Sequence, residues 1–466
     1  MPVSQTNFSS LNLRPELVSN LDTLGYAEMT PIQAQSLPSI LEGKDVIGQG
    51  KTGSGKTAAF GLGLLQRLDV ERFRIQTLVL CPTRELADQV AKEIRKLARG
   101  IHNIKVLTLC GGMPFGPQIG SLEHGAHIIV GTPGRVLDHL TKGTLRLDNL
   151  TTFVLDEADR MLEMGFQDAL DAIVEKAPSD RQTLLFSATF PKKIQAIAAK
   201  IMNNPEMVEV ASTHDDSTIK QHFYKVKNFG ERLDTVRGLL LQHKPESTVI
   251  FCNTKKDVQD VADELGHFGF SVIALHGDLE QRDRDQALVR FSNKSISVMV
   301  ATDVASRGLD IESLDAVINF QVSHDSEIHV HRIGRTGRAG SKGMAYTIFD
   351  DKEAYQVALL EDRFGMITPE ALPPESVLNE SPMTPPMECI RIDGGKKQKV
   401  RAGDILGALT GKDGIDGKLV GKIQLFDNCA YVAVDTKVAK AAVQKIGKGK
   451  LKGRMFRAWI VRSFND

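Results

Sequence analysis

Apolar residues are grouped along the chain in two alternating formats. Short strand-like runs centred on apolar residues at 44–48, 77–81, 105–109, 127–130, 153–155 and 183–186 are separated by longer stretches in which apolar positions return every three or four residues. A short run with no polar face reads as a strand buried on both sides, and the intervening period reads as a helix, so the pattern predicts a parallel sheet covered by helices on both faces. The alternation resumes at 248–252, 271–275, 298–301 and 316–320. Beyond residue 387 the order changes to strand 389–392, helix 402–409, strands 422–426 and 430–434, helix 437–446 and strand 454–461. Polar stretches at 211–217 and 369–387, the second rich in Pro, Glu and Ser, separate the three regions.

The expected fold class is therefore α/β, with two parallel-sheet lobes followed by a small α+β domain. The boundaries read as a leading segment 1–36, a first lobe 37–210, a linker 211–222, a second lobe 223–368, a linker 369–387 and a terminal domain 388–466. Val79-Leu80-Cys81-Pro82-Thr83 and Ile250-Phe251-Cys252-Asn253-Thr254 look like one strand-to-loop turn used twice, which suggests related lobes. A length of 466 residues fits three domains at roughly 150 residues each.

Charge adds a distinction that the apolar pattern does not carry. The chain as a whole is neutral, but residues 391–466 hold 17 Lys and Arg against 7 Asp and Glu, a net of +10 that leaves −10 for the remainder. A basic module joined to an acidic body points to a polyanionic partner. The same count also fits a solvated Lys-rich surface. Five cysteines, Cys81, Cys110, Cys252, Cys389 and Cys429, have no metal-ligand spacing and read as reduced core residues of a cytoplasmic chain. No apolar run is long enough for a membrane span, and the polar N-terminus reads as no secretion signal.

Candidate chemistry begins where the run 44–48 meets Gly50-Lys51-Thr52-Gly53-Ser54-Gly55-Lys56-Thr57. A glycine loop between strand and helix turns successive N–H groups toward phosphate oxygens, and the helix N-terminus adds partial positive charge. Lys56 would hold the terminal phosphates and the Thr57 hydroxyl would ligate Mg²⁺. Asp156-Glu157-Ala158-Asp159 follows another strand; Asp156 suits Mg²⁺, usually through water, and Glu157 suits orienting and deprotonating an attacking water. Gln33, just upstream of the loop, can donate and accept at once, matching an adenine edge, and the Phe8 or Tyr26 ring suits the same nucleotide. These residues make ATP with Mg²⁺ the expected cofactor.

Gln33, the loop Gly50 to Thr57, Asp-Glu-Ala-Asp at 156 to 159, Ser187-Ala188-Thr189 and His331-Arg332-Ile333-Gly334-Arg335-Thr336-Gly337-Arg338 stand in the order and approximate spacing of DEAD-box RNA helicases. From about Phe8 to Phe349 the chain resembles that family. The resemblance implies two RecA-like lobes, ATP hydrolysis coupled to lobe closure, and local unwinding of short RNA duplexes. It implies that Arg335 and Arg338 stabilise the transferring phosphoryl group, that Asp310 lies near the ribose, and that Asp159, Ser187, Thr189 and His331 couple the motifs. It also implies RNA contacts at Arg84, Gly111, Gly112, Thr132, Gly134 and Arg135 in the first lobe, and at Asn253, Thr302, Asp303, Arg307 and Gly308 in the second. Gly111-Gly112 suits a tight turn equally well.

The terminal βαββαβ order is that of an RNA recognition motif. Its aromatic signature is incomplete: Tyr431 is kept, but Cys429 and Val434 stand where rings are preferred, and Ile390-Arg391-Ile392 carries none. The basic stretches Lys396, Lys397, Lys399 and Lys448, Lys450, Lys452, Arg454 are therefore expected to grip a folded RNA through its backbone. A helicase core followed by Arg391-Ile392-Asp393-Gly394-Gly395 and Arg401-Ala402-Gly403-Asp404-Ile405-Leu406 resembles the DbpA subgroup. That resemblance implies a function in large ribosomal subunit assembly, with the tail docked on a hairpin of large-subunit ribosomal RNA near the peptidyl transferase centre, and the chain is expected to be a monomer. Rival readings are an RNA clamp that binds ATP without turnover, against which Glu157, Arg335 and Arg338 stand, and a DNA-directed motor, against which the Asp-Glu-Ala-Asp set and the tail stand.

Overall fold

Seven short strands form the first sheet: β1 (Val46–Gln49), β2 (Thr77–Leu80), β3 (Val106–Leu109), β4 (Ile128–Gly131), β5 (Thr152–Asp156), β6 (Gln182–Ser187) and β7 (Glu206–Glu209). They are described in a computed structural model that covers residues 7–50, 53–210, 219–306, 314–337, 343–411 and 414–461. All pairings are parallel, in the order β3-β4-β2-β5-β6-β1-β7. β2, β4, β5 and β6 are buried along their whole length, as a sheet with helices on both faces requires. Two apolar clusters lie on its two sides, one around Phe60, Ile94 and Phe186, the other around Ile129, Phe153 and Leu185. After β1 the chain skips over β6 and β5 to begin β2, so the order reverses beside β1. Ligands collect at such a point, outside the carboxyl ends of the strands.

The second sheet contains β8 (Ile219–Lys225), β9 (Thr248–Cys252), β10 (Val272–Leu275), β11 (Val298–Thr302), β12 (Ala316–Asn319) and β13 (Gly343–Phe349), all parallel in the order β10-β11-β9-β12-β13-β8. The twice-used turn is present in both lobes. After β2, Thr83 Oγ1 accepts from Leu86 N at 3.2 Å and caps the helix Arg84–Leu97. After β9, Thr254 Oγ1 accepts from Asp257 N at 3.1 Å and caps the helix Lys255–His267. The fold is that of two RecA-like lobes.

His329, on the helix Ser326–Ile333, is fully buried with its Nε2 3.2 Å from Gln221 Oε1. Burial, reinforced by the charges of Arg332 and Arg363, lowers its pKa to about 3. The unfolded chain therefore takes up a proton near pH 6.5 that the folded lobe refuses. Stability is full above that value and is lost as pH falls toward 3, by about 1.4 kcal/mol per pH unit. His329→Gln should flatten the pH dependence of urea unfolding between pH 6.5 and 4.5. An unchanged slope would assign it to other groups.

The last domain is antiparallel: β14 (Met387–Ile392), β15 (Val420–Leu425), β16 (Ala430–Asp435) and β17 (Ala458–Ile460), in the order β15-β16-β14-β17. The helices Ala402–Thr410 and Ala439–Lys448 share a core with Ile390, Ile392, Ala430, Val432 and Val434, one face of the sheet. The alternation of strand side chains sends Cys389, Arg391 and Tyr431 to the other face. β17 is shorter than the expected 454–461, because Lys452 and Gly453 both take positive φ and turn the chain between Leu451 and Arg454. Among the described residues no helix is long and apolar enough to cross a membrane. All five cysteines are free, four buried and Cys429 half-buried.

Candidate nucleotide and RNA sites

Three adjacent strands, β5, β6 and β1, bring three motifs side by side at their carboxyl ends. β1 runs into the glycine loop, whose Gly50 N donates to Ser187 O, 3.0 Å away at the end of β6. Gly53 and Gly55 take φ of +81° and +96°, left-handed conformations that glycine adopts without a steric penalty. At Gly55 a Cβ would also stand 2.5 Å from Gln33 Nε2 and 2.7 Å from Thr30 Oγ1. The helix Lys56–Arg67 starts here, with Thr57 in its first turn.

Gln33 is buried and both ends of its amide are engaged. Its Oε1 accepts from Thr30 N at 2.9 Å and its Nε2 donates to Gly55 O at 3.1 Å, while Thr30 Oγ1 donates to Ser54 O at 2.7 Å. Gln33 thus fastens its own helix to the phosphate loop. The ring of Phe8 is buried edge-on to Tyr26, with centroids 6.2 Å apart, and Tyr26 donates to Glu93 Oε1 at 2.6 Å.

Lys56 is buried and its Nζ donates to Gly50 O. Burial pushes its pKa down, while Asp156, Glu157 and Asp159 pull it back up. Asp156, at the end of β5, is raised to about 7, first by burial and then by the Glu157 charge, with Lys56 acting in the opposite sense. Both groups sit where burial disfavours their charged forms, and a polyphosphate beside Lys56 with a divalent cation beside Asp156 would favour them again. Glu157 holds φ 55° and ψ 54°, a left-handed conformation uncommon outside glycine. Asp159 connects two motifs: its Oδ2 accepts from Thr189 N at 3.0 Å and Thr189 Oγ1 at 2.9 Å, and its N–H donates to Ser187 Oγ at 3.3 Å.

The other half of the same sheet edge, β2, β4 and β3, carries the first lobe's candidate RNA residues. Arg84 opens the helix after β2, Thr132 stands at the N-cap position of the helix Pro133–Thr141 after β4, and Gly111-Gly112 follow β3. Arg84 lies across Gly112, where a Cβ would meet its guanidinium. Arg135 Nη1 donates to Met113 O at 2.9 Å and to Gln118 Oε1 at 2.8 Å, and its guanidinium lies over the Phe115 ring. Gly134 faces open space.

In the second lobe Asn253 follows β9, and Asp303 follows Thr302 at the end of the adjacent β11. Both are held by Arg332, which the motif spells out but whose role the sequence did not reveal. Its side chain is 1% exposed. Nε and Nη2 grip the two Asp303 oxygens at 2.7 and 2.8 Å, Nη2 also reaches Asn253 Oδ1 at 2.8 Å, and Nη1 donates to Gln321 O at 2.8 Å. Arg332→Ala removes one partner of a buried, doubly bonded pair and should destabilise the lobe by about 3–5 kcal/mol. Arg332→Lys should restore only part of that, since one ammonium cannot reproduce the planar fork. Denaturant unfolding measures both.

Thr336 donates from its hydroxyl to Leu314 O, and Arg335 O accepts from Leu314 N at 3.1 Å, fixing the turn that carries Arg335 two residues beyond His331-Arg332-Ile333. The candidates Lys51, Thr52, Arg307, Gly308, Asp310 and Arg338 lie outside the described residues.

In the terminal domain the two basic stretches meet. Lys452 Nζ donates to Lys399 O at 3.1 Å, and Lys396 N and Lys397 N donate to the carbonyls of Phe426 and Asp427, both at 2.9 Å. Across the sheet Tyr431, Arg391 and Trp459 stand in register, with the Arg391 guanidinium 5.8 and 5.4 Å from the two ring centroids. Trp459, the sole tryptophan of the chain, is 41% exposed. The sequence signal for it was its place in the final strand; its register with Arg391 came from the fold.

The three regions of the chain each match a known protein family. The DEAD/DEAH box helicase family is matched over residues 30–197, the helicase conserved C-terminal domain over 231–340 and the DbpA RNA binding domain over 389–460. The chain is 54% identical over 458 residues to the ATP-dependent RNA helicase DbpA of Escherichia coli strain K12, covering 98% of this chain and all of that protein. The chain is a DEAD-box RNA helicase of the DbpA subgroup.

As an ATP-dependent RNA helicase it also matches other relatives over about three quarters of its length. The DEAD-box ATP-dependent RNA helicase CshA of Bacillus subtilis strain 168 is 46% identical over 354 residues, 76% of this chain and 72% of that one. Among solved structures, S. cerevisiae Dbp5 bound to RNA and ADP BeF3 superimposes with a TM-score of 0.70 at 32% identity, covering 78% of this helicase and 94% of that chain.

Proposed function

We propose that this DEAD-box helicase is targeted by its terminal domain to large-subunit ribosomal RNA, where it locally unwinds short duplexes during assembly of the large ribosomal subunit. The observation that carries the reading is the convergence of two basic stretches on one side of a domain matched as a DbpA RNA binding domain. Phosphate contacts from such a patch position the protein without reading sequence, so a folded RNA element is the fitting ligand.

In this reading Lys56 and the loop N–H groups bind the ATP phosphates, and Glu157 takes the proton of the attacking water. Mg²⁺ would be held by Asp156 and the Thr57 hydroxyl. A single carboxylate and a hydroxyl fit an ion that keeps waters and phosphate oxygens as its other ligands, and the raised pKa of Asp156 is what a nearby cation would reverse. The ion's chemistry would be neutralisation of developing phosphate charge. Arg335 and Arg338 act on the transferring phosphoryl group, so turnover requires both lobes. The Asp159 to Thr189 bonds support a role in relaying the state of the nucleotide through the first lobe. The helicase acts as a cytoplasmic monomer.

Steady-state ATP hydrolysis tests the reading with no RNA, generic single-stranded RNA, large-subunit ribosomal RNA, and the ribosomal RNA with a chain ending at Met387. Stimulation by ribosomal RNA well above generic RNA, lost on truncation, is expected. Equal stimulation by every RNA would leave a general helicase and remove the targeting role.

A further inference from the structure

Residues 369–387 read in the sequence as a linker, and in the structure they are bound along their length. Glu370 N donates to Phe223 O at 2.8 Å, and its carboxylate reaches His222 Nδ1 at 2.7 Å. Leu372 packs against the second lobe's core. Pro373 lies so close to Gly238, inside the helix Phe229–His243, that a Cβ there would stand 2.6 Å from it. Glu380 pairs with Lys244 at 2.9 Å. The carbonyls of Pro385 and Pro386 then accept from Thr436 Oγ1 of the terminal domain at 3.2 and 3.1 Å.

The terminal domain is also seated directly on the second lobe. Val289, on the helix Gln281–Ser292, is buried with Cys389, Tyr431 and Val461, and Asn293 Nδ2 donates to Cys389 Sγ at 3.3 Å. Tyr431 meets Phe426 edge-on at 5.6 Å. Cys389 and Tyr431 belong to the sheet face opposite the domain's own helices. Part of the face on which this fold would stack bases is therefore occupied by the helicase core.

We propose that residues 369–387 form a strap which, with the Val289 contact, holds the terminal domain in one position on the second lobe. RNA gripped by the domain is then set at a fixed offset from Asn253, Thr302 and Asp303, and the enzyme selects duplexes by their distance from the gripped element. The docking stands on the contacts alone; the distance selection rests on the proposed targeting to ribosomal RNA. A free tether would give a broad range of reach, falling off slowly with length, whereas a fixed mount gives a narrow one.

Spin labels test the docking in the full chain, at the exposed positions Lys256→Cys and Lys440→Cys, with Cys429→Ser to remove the half-buried thiol. A single narrow distance is expected, and a broad distribution in this otherwise unsubstituted chain would overturn the proposal. Gly238→Leu, which takes the place of Pro373, combined with Val289→Asp should broaden the distribution while each lobe keeps its thermal transition. An unchanged narrow distance in that variant would show that the strap and Val289 are not what holds the domain. Distance selection is read from unwinding of short duplexes joined to a large-subunit ribosomal RNA fragment by single-stranded spacers of increasing length. The docked enzyme should show a sharp optimum, falling on the order of tenfold or more away from it, and the double variant a flat profile. Equal unwinding at all spacers would overturn the selection while leaving the docking; failure of the ribosomal fragment to stimulate would count against the targeting, with the spin-label result still decisive for the strap.

Discussion

Arg335→Ala is expected to lower the ATP turnover number by roughly 10³–10⁵ with RNA saturating, while ATP affinity changes little. The argument is one of charge. Hydrolysis spreads negative charge over the transferring phosphoryl group, and a guanidinium at that point stabilises the transition state more than the ground state, so the loss falls on kcat rather than KM. Arg335 is on the turn after the helix Ser326–Ile333, held by the bond from Leu314 N to its own carbonyl and by the Thr336 hydroxyl on Leu314 O. Those bonds involve the backbone and a neighbour, so alanine leaves them in place. Single-turnover hydrolysis with a fluorescent ATP analogue for binding separates the two steps. A comparable weakening of binding would place Arg335 in ground-state recognition instead.

Glu157→Gln should leave nucleotide binding in place and reduce hydrolysis by about 10²–10⁴, the usual contribution of a positioned base. The amide preserves shape but cannot accept the proton of water. Glu157 sits in a left-handed backbone conformation between Asp156 and the helix Ala158–Glu163, and Gln occupies that conformation at comparable cost. The variant should therefore accumulate an ATP-bound, RNA-bound state, seen as slower release of RNA in the presence of ATP. Residual hydrolysis near the unsubstituted rate would exclude Glu157 as the base and leave water activation to Asp156 or to the phosphate itself.

Much of this was legible in the sequence because its chemistry depends on neighbours along the chain. The strand–glycine loop–helix order of 46–67, the Asp156-Glu157 pair at the end of β5 and the twin Thr83 and Thr254 caps all follow from short-range rules, and the element positions agree closely. Two of the edge strands, β7 and β8, escaped. β7 buries only Val208, and β8 mixes buried Ile219, Phe223 and Tyr224 with exposed Lys220 and Lys225, so neither makes a continuous apolar run. β13 was missed although it is almost wholly buried, because Thr347 and the opening Gly343 interrupt its apolar pattern.

Gln33 illustrates the boundary within the candidate site. Its place before the phosphate loop was visible, but only the fold revealed that its amide is bonded to Thr30 and Gly55. Arg332 is a stronger case. Its partners Asn253, Asp303 and Gln321 are 79, 29 and 11 residues away, and nothing local distinguishes it from the arginine three residues on. The strap is a third case, since a Pro-rich stretch has the same composition whether it hangs free or lies in a groove.

The sequence by itself determined the class of the protein, the order of its lobes, the use of ATP and the basic character of its tail, because backbone geometry at glycines, helix caps and buried apolar runs are set by residues close together in the chain. Only the tertiary structure decided which motifs share a sheet edge, that a buried arginine ties β9 to β11, and that the terminal domain rests on Val289 with its linker bound. Those are contacts between residues tens to hundreds of positions apart, whose energies depend on close packing and on paired buried charges that no local pattern encodes.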